Sequence, residues 1–531
     1  MNELLDLWKG VTLNIGGIQK LIRVALLCVA CDTPAARKVS GFVSHSANLG
    51  CPRCYCAFSE GGLARNRSNF DRSTWEYRTN SKYRDNVQKL FTYMTKTVRA
   101  EQELKLGCRY SALLTLPYFD PVRMTIIDGM HNIFLGSANY FIRKILIPTN
   151  VLDKRKLQII HNRMKQLQLP YDIDRLPSGF ESGATFTAEQ WMNWTLYFSV
   201  FCFYGLISDR QLECWRHLVL ASRRLCKRSL RMIDITVSDL LLLRFGKQVC
   251  ELFGYRFVTP NMHMHCHLAE CLKDYGPLHA FWLFSFERYN GLLGKQPTNN
   301  HAIELQLLNR FNNDNLRLDL LHHAESMPLA NYFSEVTVDY ATSFNSIKPT
   351  QLLPDSQEVA NFMEPSKHSL FVLSDSLLTD LRSMYAKLLP DYATQIENGS
   401  MELVSTCKKY LHIFMNGKKL ASTEQEVPYV LATSLEDSAN PRPFRIDYFV
   451  KHSVLIPMSE VSTTHLFAVG RWPQKHPNQH LMGKPVELWC LSVFESSFNC
   501  FVPVSSIHGR TIVATQSIND ENVLVIIPLV D

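Results

Sequence analysis

Two pairs of metal-binding side chains stand far apart in this chain, and a fold that unites them must close a very long loop. Cys51-Pro-Arg-Cys54 is a CxxC, and His263 and His267 bracket the run His263-Met-His265-Cys-His267 in a segment of helical character. On a helix, residues four apart share a face, so both imidazoles can address one ion while His265 faces away. Two thiolates and two imidazoles complete a closed tetrahedral zinc site of the structural kind. Such a site ties a loop near residue 50 to a helix near residue 265, and metal-binding energy becomes folding energy. Spacing alone leaves two other readings open. One is a redox pair, although that use wants the CxxC to open a helix directly after a strand, and here the loop HSANLG precedes it. The other is coincidence in a chain with 15 cysteines and 18 histidines.

The cysteines are odd in number and scattered, unlike the dense framework of a small secreted protein, which points to a reducing, intracellular setting. With 531 residues, 46% hydrophobic and 20% charged, the chain can bury a large core in several domains. No apolar stretch reaches the roughly 18 residues of a membrane span, so no membrane partner is expected. A net charge of +7 is compatible with a polyanionic partner without demanding one.

Residues 21–31, LIRVALLCVAC, are almost continuously apolar and end at Asp32. Such a run suits a central strand covered on both faces. Thr33-Pro34 then opens a helix, so Asp32 is expected at the carboxyl end of a buried strand, where α/β folds commonly place functional groups. Helical periodicity runs from about 120 to 255, with examples over 130–146, 188–206 and 209–230, and resumes over 259–310. The Pro- and Ser-rich stretch 347–369 reads as a linker, and one or two helices fall in 370–420. From Tyr429 onward, short runs such as HLFAVGRW, VELWCLSVF, TIVAT and VLVIIPLV predict a small all-β domain.

Three blocks of this chain, in order, resemble the CACTA (En/Spm) DNA transposases. They are CDTPAARKVSGFVSHSANLGCPRC (31–54), MTIIDGMHNIFLG (124–136) and NMHMHCHLAECLKDYGPLHAFWLFSFERYNGLLG (261–294). HLFAVGRWPQKHPNQHLMGKPVELW (465–489) is similar to a C-terminal extension of animal and fungal relatives, a less specific match. The resemblance implies an α+β multidomain protein: an RNase H-like mixed sheet, incomplete here, interrupted by an all-helical insertion and followed by the small β domain. The expected divisions are a partial core with the CxxC (1–125), the insertion (126–258), a helical return to the core (259–345), linker and helices (346–425), and the β domain (426–531).

By the same resemblance, Asp32 and Glu287 match the second and third acids of a D-D-E triad holding Mg²⁺ or Mn²⁺, and Cys51, Cys54, His263 and His267 match the zinc positions. Carboxylates suit such ions because they leave positions open for water and phosphate, and two ions can stabilise both the attacking and the leaving oxygen of a phosphodiester. Asp128 and His131 match the family's D-x-x-H and carry at most a supporting role; a plain structural hydrogen bond is the alternative. Asp32 likewise can be a simple helix N-cap, and Glu287-Arg288 an ordinary solvated pair.

The family's first aspartate lies well upstream of the second. Only 31 residues precede Asp32 here, and ELLDLWKGV resembles a stretch that follows the first acid, so Asp6 is a poor substitute. The chain is therefore expected to be N-terminally truncated and catalytically incomplete. Its implied partners are DNA, as transposon ends and target, and further copies of itself when active; its implied setting is nuclear. In SRRLCKRSLR, Arg223, Arg224, Lys227, Arg228 and Arg231 are expected within one helix of the insertion, either as phosphate contacts or as a solvated face. The competing expectation for the whole chain is a domesticated or degenerate DNA- or protein-binding module that keeps the zinc-braced scaffold without catalysis.

Overall fold

A computed structural model describes every residue except 45–46, 59–67, 93–94, 171–172, 174–176, 178, 181–184, 300, 324–361, 364–367, 416–417, 423–426, 456–461 and 531. The chain divides into two units, one of Met1–Leu283 with Ala360–Asp531 and one of Phe284–Val359.

The first unit opens with the helix Asn2–Lys9 and an antiparallel hairpin of Val11–Ile15 and Ile18–Ile22. Here the structure departs from expectation. The run 21–31 is strand only as far as Ile22, and beyond it the backbone makes a single parallel bridge, Val29 with Thr125. Leu21, Val24 and Leu27 are exposed, while Val29 packs beside Leu116 and Phe119. The physical reason lies in the neighbours: an apolar run becomes a central strand only when strands flank both its edges. Among the described residues of 1–125, strand pairing is limited to that hairpin and isolated bridges.

The helix after Asp32 forms as anticipated, over Thr33–Ser40 with Pro34 in its first turn and Gly41 closing it in the left-handed region. The described residues of the insertion are mainly helical, apart from the stretch around 167–187. Asp209–Leu225 packs against Met232–Phe253, and aromatic side chains fill the space around them. Phe141 stacks on Trp215 with centroids 5.3 Å apart, and Phe203 meets the same indole edge-on at 5.8 Å. The stretch 130–146 is helical with wide π-type turns over Met130–Ala138 and Phe141–Leu146. Among the described residues no helix is long and apolar enough to cross a membrane.

The C-terminal region is all-β at its centre and closes on itself. Tyr429–Ala432, Arg442–Leu455, Ser462–Lys475, Glu487–Glu495, Glu521–Pro528 and Ile507–Ile518 pair antiparallel in that ring order, the last returning to the first. Closure depends on one strand serving two neighbours. Ser462–Lys475 lies along Arg442–Leu455, shifts register at Val469/Gly470, and meets Glu487–Glu495 with its far end. Only glycine suits position 470, where an added Cβ would sit 1.9 Å from the Arg445 carbonyl oxygen. Outside the barrel, Thr406–Tyr410 and Ser369–Val372 extend the sheet, and the helix Asp375–Leu388 packs Leu381, Met384 and Tyr385 onto Val450, Phe467 and Phe501. The stretch 347–369 lies outside the described residues apart from the short strand Phe362–Met363 and positions 368–369.

Barrel and helices of this unit are joined by named contacts. Gln168 and Val513 form a β-bridge, Arg216 donates to the Lys484 carbonyl at 3.0 Å, and Arg223 donates to the Pro528 carbonyl at 2.6 Å.

The second unit consists, where described, of the helices Phe284–Gly294 and Ile303–His323. None of their described side chains is buried.

Candidate metal centre

The loop that presents the two thiols is held in place by cations. Arg37, on the helix capped by Asp32, is buried and donates to the carbonyls of Val43 (2.7 Å) and Gly50. Gly50 lies so close under the Phe58 ring that an added Cβ would meet it at 2.1 Å. Arg78 donates through Nε to the carbonyls of Cys51 (3.0 Å) and Cys54 (3.1 Å). Arg53, between the cysteines, is buried and reaches the carbonyls of Arg123 and Thr125 and the Cys271 sulfur. A loop whose carbonyls are gathered by fixed cations has little freedom left, so both sulfurs project from a rigid base.

On the other side, the helix Pro260–Met264 tightens into a 3₁₀ turn over His265–His267 before Leu268–Tyr275 continues. The expected single helix face is thus interrupted, yet the two imidazoles converge, with centroids 5.2 Å apart. His265 faces the other way, 3.3 Å from the Ser137 hydroxyl, where burial lowers its pKa to about 3. Trp75 packs against both converging rings, at 4.6 Å from His263 and 5.0 Å from His267.

Cys51, Cys54, His263 and His267 are all buried, and one ligand atom from each lies within 4.8 Å of all the others. The group spans 209 positions of sequence at its Cys54–His263 contact of 3.2 Å. Its chemistry asks for a cation. His267 Nε2 is buried without a hydrogen-bond partner. Burial alone would push the His267 pKa down, but the Cys51 thiol and the Glu270 carboxylate outweigh it and raise the value to about 9. Burial opposes and the same thiols raise His263 as well. Proton-drawing thiols facing imidazoles in a dry pocket are the environment that a divalent ion neutralises. Two soft and two borderline donors in a closed, buried set fit zinc in a structural role.

Beside this centre lies a cleft of about 350 Å³ lined by Asp32, Thr33, Pro34, His131, Thr259, Pro260, Asn261 and Met264. Asp32 is exposed there, and its carboxylate caps its own helix by accepting from the Ala35 N–H at 2.8 Å. His131 is anchored from behind. Asp128 is buried, meets His131 Nδ1 at 2.7 Å, and accepts from the backbone N–H groups of His131 (2.9 Å) and Leu283 (2.9 Å). The structure therefore places Asp32 and the Asp128–His131 pair around one opening. Glu287 lies in the second unit, exposed on the helix Phe284–Gly294, where its neighbour Phe286 is 57% exposed.

The basic segment is arranged differently from expectation. Its helix ends at Leu225, and Arg231 caps the next one, so the five cations do not share a helix. The break follows from local demand: the Asp234 carboxylate accepts from Lys227 (2.7 Å) and from the Arg231 backbone and side chain (3.3 Å each), which anchors a turn rather than a continued helix. Arg223 donates to the carbonyls of Leu196 (2.8 Å) and Pro528 (2.6 Å), over the Tyr197 ring, and burial lowers its pKa to about 10. Arg224 bonds within its own helix, and Arg228 is exposed.

Sequence reasoning did not single out Arg37, Arg53, Arg78, Trp75 or Glu270. For Glu270 a signal existed, since an acid three residues after a ligand histidine on a helix is within reach of its ring. No protein-family model matches the chain, and no curated protein matches it.

Proposed function

We propose that the chain is the zinc-braced scaffold of a DNA transposase-type protein of the CACTA kind, built on an RNase H-like core, with Asp32 and Glu287 as metal-binding acids of a phosphodiester-transferring site. The observation that carries the reading is the four-residue Cys/His group, which joins the loop of Cys51 and Cys54 to the segment 260–267, with Asp32 and His131 lining one cleft beside it.

Mg²⁺ or Mn²⁺ bound by Asp32 and Glu287 would stabilise charge developing on the phosphate oxygens. The chain's own residues prepare for that. Asp128 fixes the His131 ring from its Nδ1 side, so the ring is held to one orientation at the cleft. Asp32, although it caps a helix with one oxygen, keeps an exposed carboxylate. Arg228, Lys227 and Arg231 are the cations of the basic segment with side chains exposed enough to meet DNA phosphates.

The test is Mn²⁺ binding followed by electron paramagnetic resonance, with and without a DNA duplex carrying a free 3′ end. Bound Mn²⁺ that is lost in Asp32→Asn and in Glu287→Gln, together with Mn²⁺-dependent nicking, supports the reading. Mn²⁺ binding indifferent to both substitutions overturns the two-acid site. A second reading, a non-catalytic DNA- or protein-binding module, is favoured by the capping role of Asp32, which gives that acid a purely structural reason to be there. DNA binding that needs no divalent ion and survives Asp32→Asn would select it.

A further inference from the structure

We propose that Glu270 is a positioning residue of the metal centre, holding the Nδ1 side of His267 so that Nε2 of that ring is aimed at the ion. The proposal rests on the zinc reading of the Cys51, Cys54, His263 and His267 group.

The two histidines form an internal comparison. Both rings are fully buried, and Trp75 packs against both. They differ in their outer nitrogens. His263 approaches Cys54 with Nε2 at 3.2 Å, and its remaining nitrogen, Nδ1, has no hydrogen-bond partner. His267 meets Glu270 Oε1 with Nδ1 at 2.9 Å, and its partnerless nitrogen is Nε2. A carboxylate that accepts from Nδ1–H selects the tautomer whose Nε2 lone pair is free, fixes the rotation of the ring, and strengthens Nε2 as a donor. One imidazole of the pair is thereby aimed from its outer nitrogen, and the other has no such partner on its outer side.

Glu270 is placed for this by the chain itself. It sits in the first turn of Leu268–Tyr275, the helix that begins directly after His267, so the three-residue spacing and the helix geometry set the contact. Side-chain exposure is 35% for Glu270 against 0% for His267, so the acid stands between the dry site and solvent.

The experiment measures Zn²⁺ affinity by competition with a chromophoric chelator, and the ¹⁵N resonances of the imidazoles in the zinc-loaded chain. Glu270→Ala is expected to weaken Zn²⁺ binding by roughly 10- to 100-fold, with Glu270→Gln losing less, and the His267 resonances alone should shift. If the unsubstituted chain binds no zinc, the metal reading itself fails. If it binds one zinc and both variants bind as tightly with unchanged His267 resonances, the Glu270 proposal is overturned while the metal reading stands. Should the alanine variant fail to fold, the glutamine variant, which keeps shape and an acceptor oxygen, decides by the same two readouts.

Discussion

The C-terminal barrel and the segments around the metal centre hold themselves together by different means. In the barrel, backbone ladders run from strand to strand until the ring closes, and the inside is apolar, with Phe444, Ile446, Ala468 and Trp472 in one cluster. Around the metal centre, among the described residues, regular pairing is limited to bridges such as Phe42–Cys108 and Cys54–Tyr77. Its order comes from buried Arg37, Arg53 and Arg78 gathering carbonyls, and from four ligands converging on one point. Ladders and apolar burial are spread over many residues and tolerate single losses. Convergent polar sites are concentrated, and removing one partner leaves the others buried and unsatisfied.

The largest expected effect follows from that concentration. Cys54→Ala or His267→Ala, or treatment with a strong chelator, should strip about one zinc per chain and remove a contribution on the order of 10 kcal/mol, the scale of structural zinc sites. Hydrogen exchange followed by mass spectrometry should show protection lost over 33–58 and 260–275, while the barrel strands Arg442–Leu455 and Ser462–Lys475 stay protected. Simultaneous loss in both regions would mean that the barrel depends on the metal centre for its own stability.

The converse experiment is Trp472→Ala. Its indole is buried, packs on Phe444 at 4.7 Å, and donates to the Asn499 carbonyl at 2.9 Å. Removing it should cost about 3–5 kcal/mol and loosen the barrel, with zinc content unchanged by elemental analysis. Zinc lost along with the barrel would show the two regions to be one cooperative body.

The same contrast explains what could be read from the amino acids. Short apolar, β-branched runs such as TIVAT and VLVIIPLV announced β structure because side-chain type is a local property, and they fall in the barrel strands Ile507–Ile518 and Glu521–Pro528, the second running just past its strand's end. Closure was not legible, since it depends on the register shift at Val469/Gly470 that lets one strand pair with two partners. At the metal centre the reverse holds. Ligand identity was legible from Cys51, Cys54, His263 and His267, because few residue types bind zinc and their spacings are short. The arginine scaffold was not, because a buried guanidinium that organises carbonyls has the same letter as a solvated one. The run 21–31 misled for a related reason: apolarity reports a wish for cover, and Leu27 at 73% exposure shows that the described neighbours do not supply it.

Arg223 sharpens the comparison from the join between the two regions. Read as a phosphate contact, it should govern DNA affinity; in the structure it links the helical body to Pro528 of the barrel. Arg223→Met should lower stability by about 2 kcal/mol, the scale of hydrogen bonds to a charged donor, without changing the salt dependence of DNA binding. Arg228→Ala should do the opposite, leaving the melting temperature in place and reducing the salt slope by about one. A fall in salt slope with Arg223→Met would return that side chain to the DNA-facing set.

The smallest effect on stability is expected at Asp32, and it is the most informative about function. Asparagine caps a helix about as well as aspartate, and the capping contact here is a single acceptor to the Ala35 N–H. Asp32→Asn should therefore shift the unfolding free energy by less than about 0.5 kcal/mol and leave the zinc in place. Among the described residues its carboxylate makes no ion pair, whereas a hard divalent cation would use its charge. If Mn²⁺ binding falls while stability and zinc content hold, the carboxylate serves the cleft. If stability falls and Mn²⁺ binding does not, the same residue is a cap and nothing more, and the scaffold acts by binding alone.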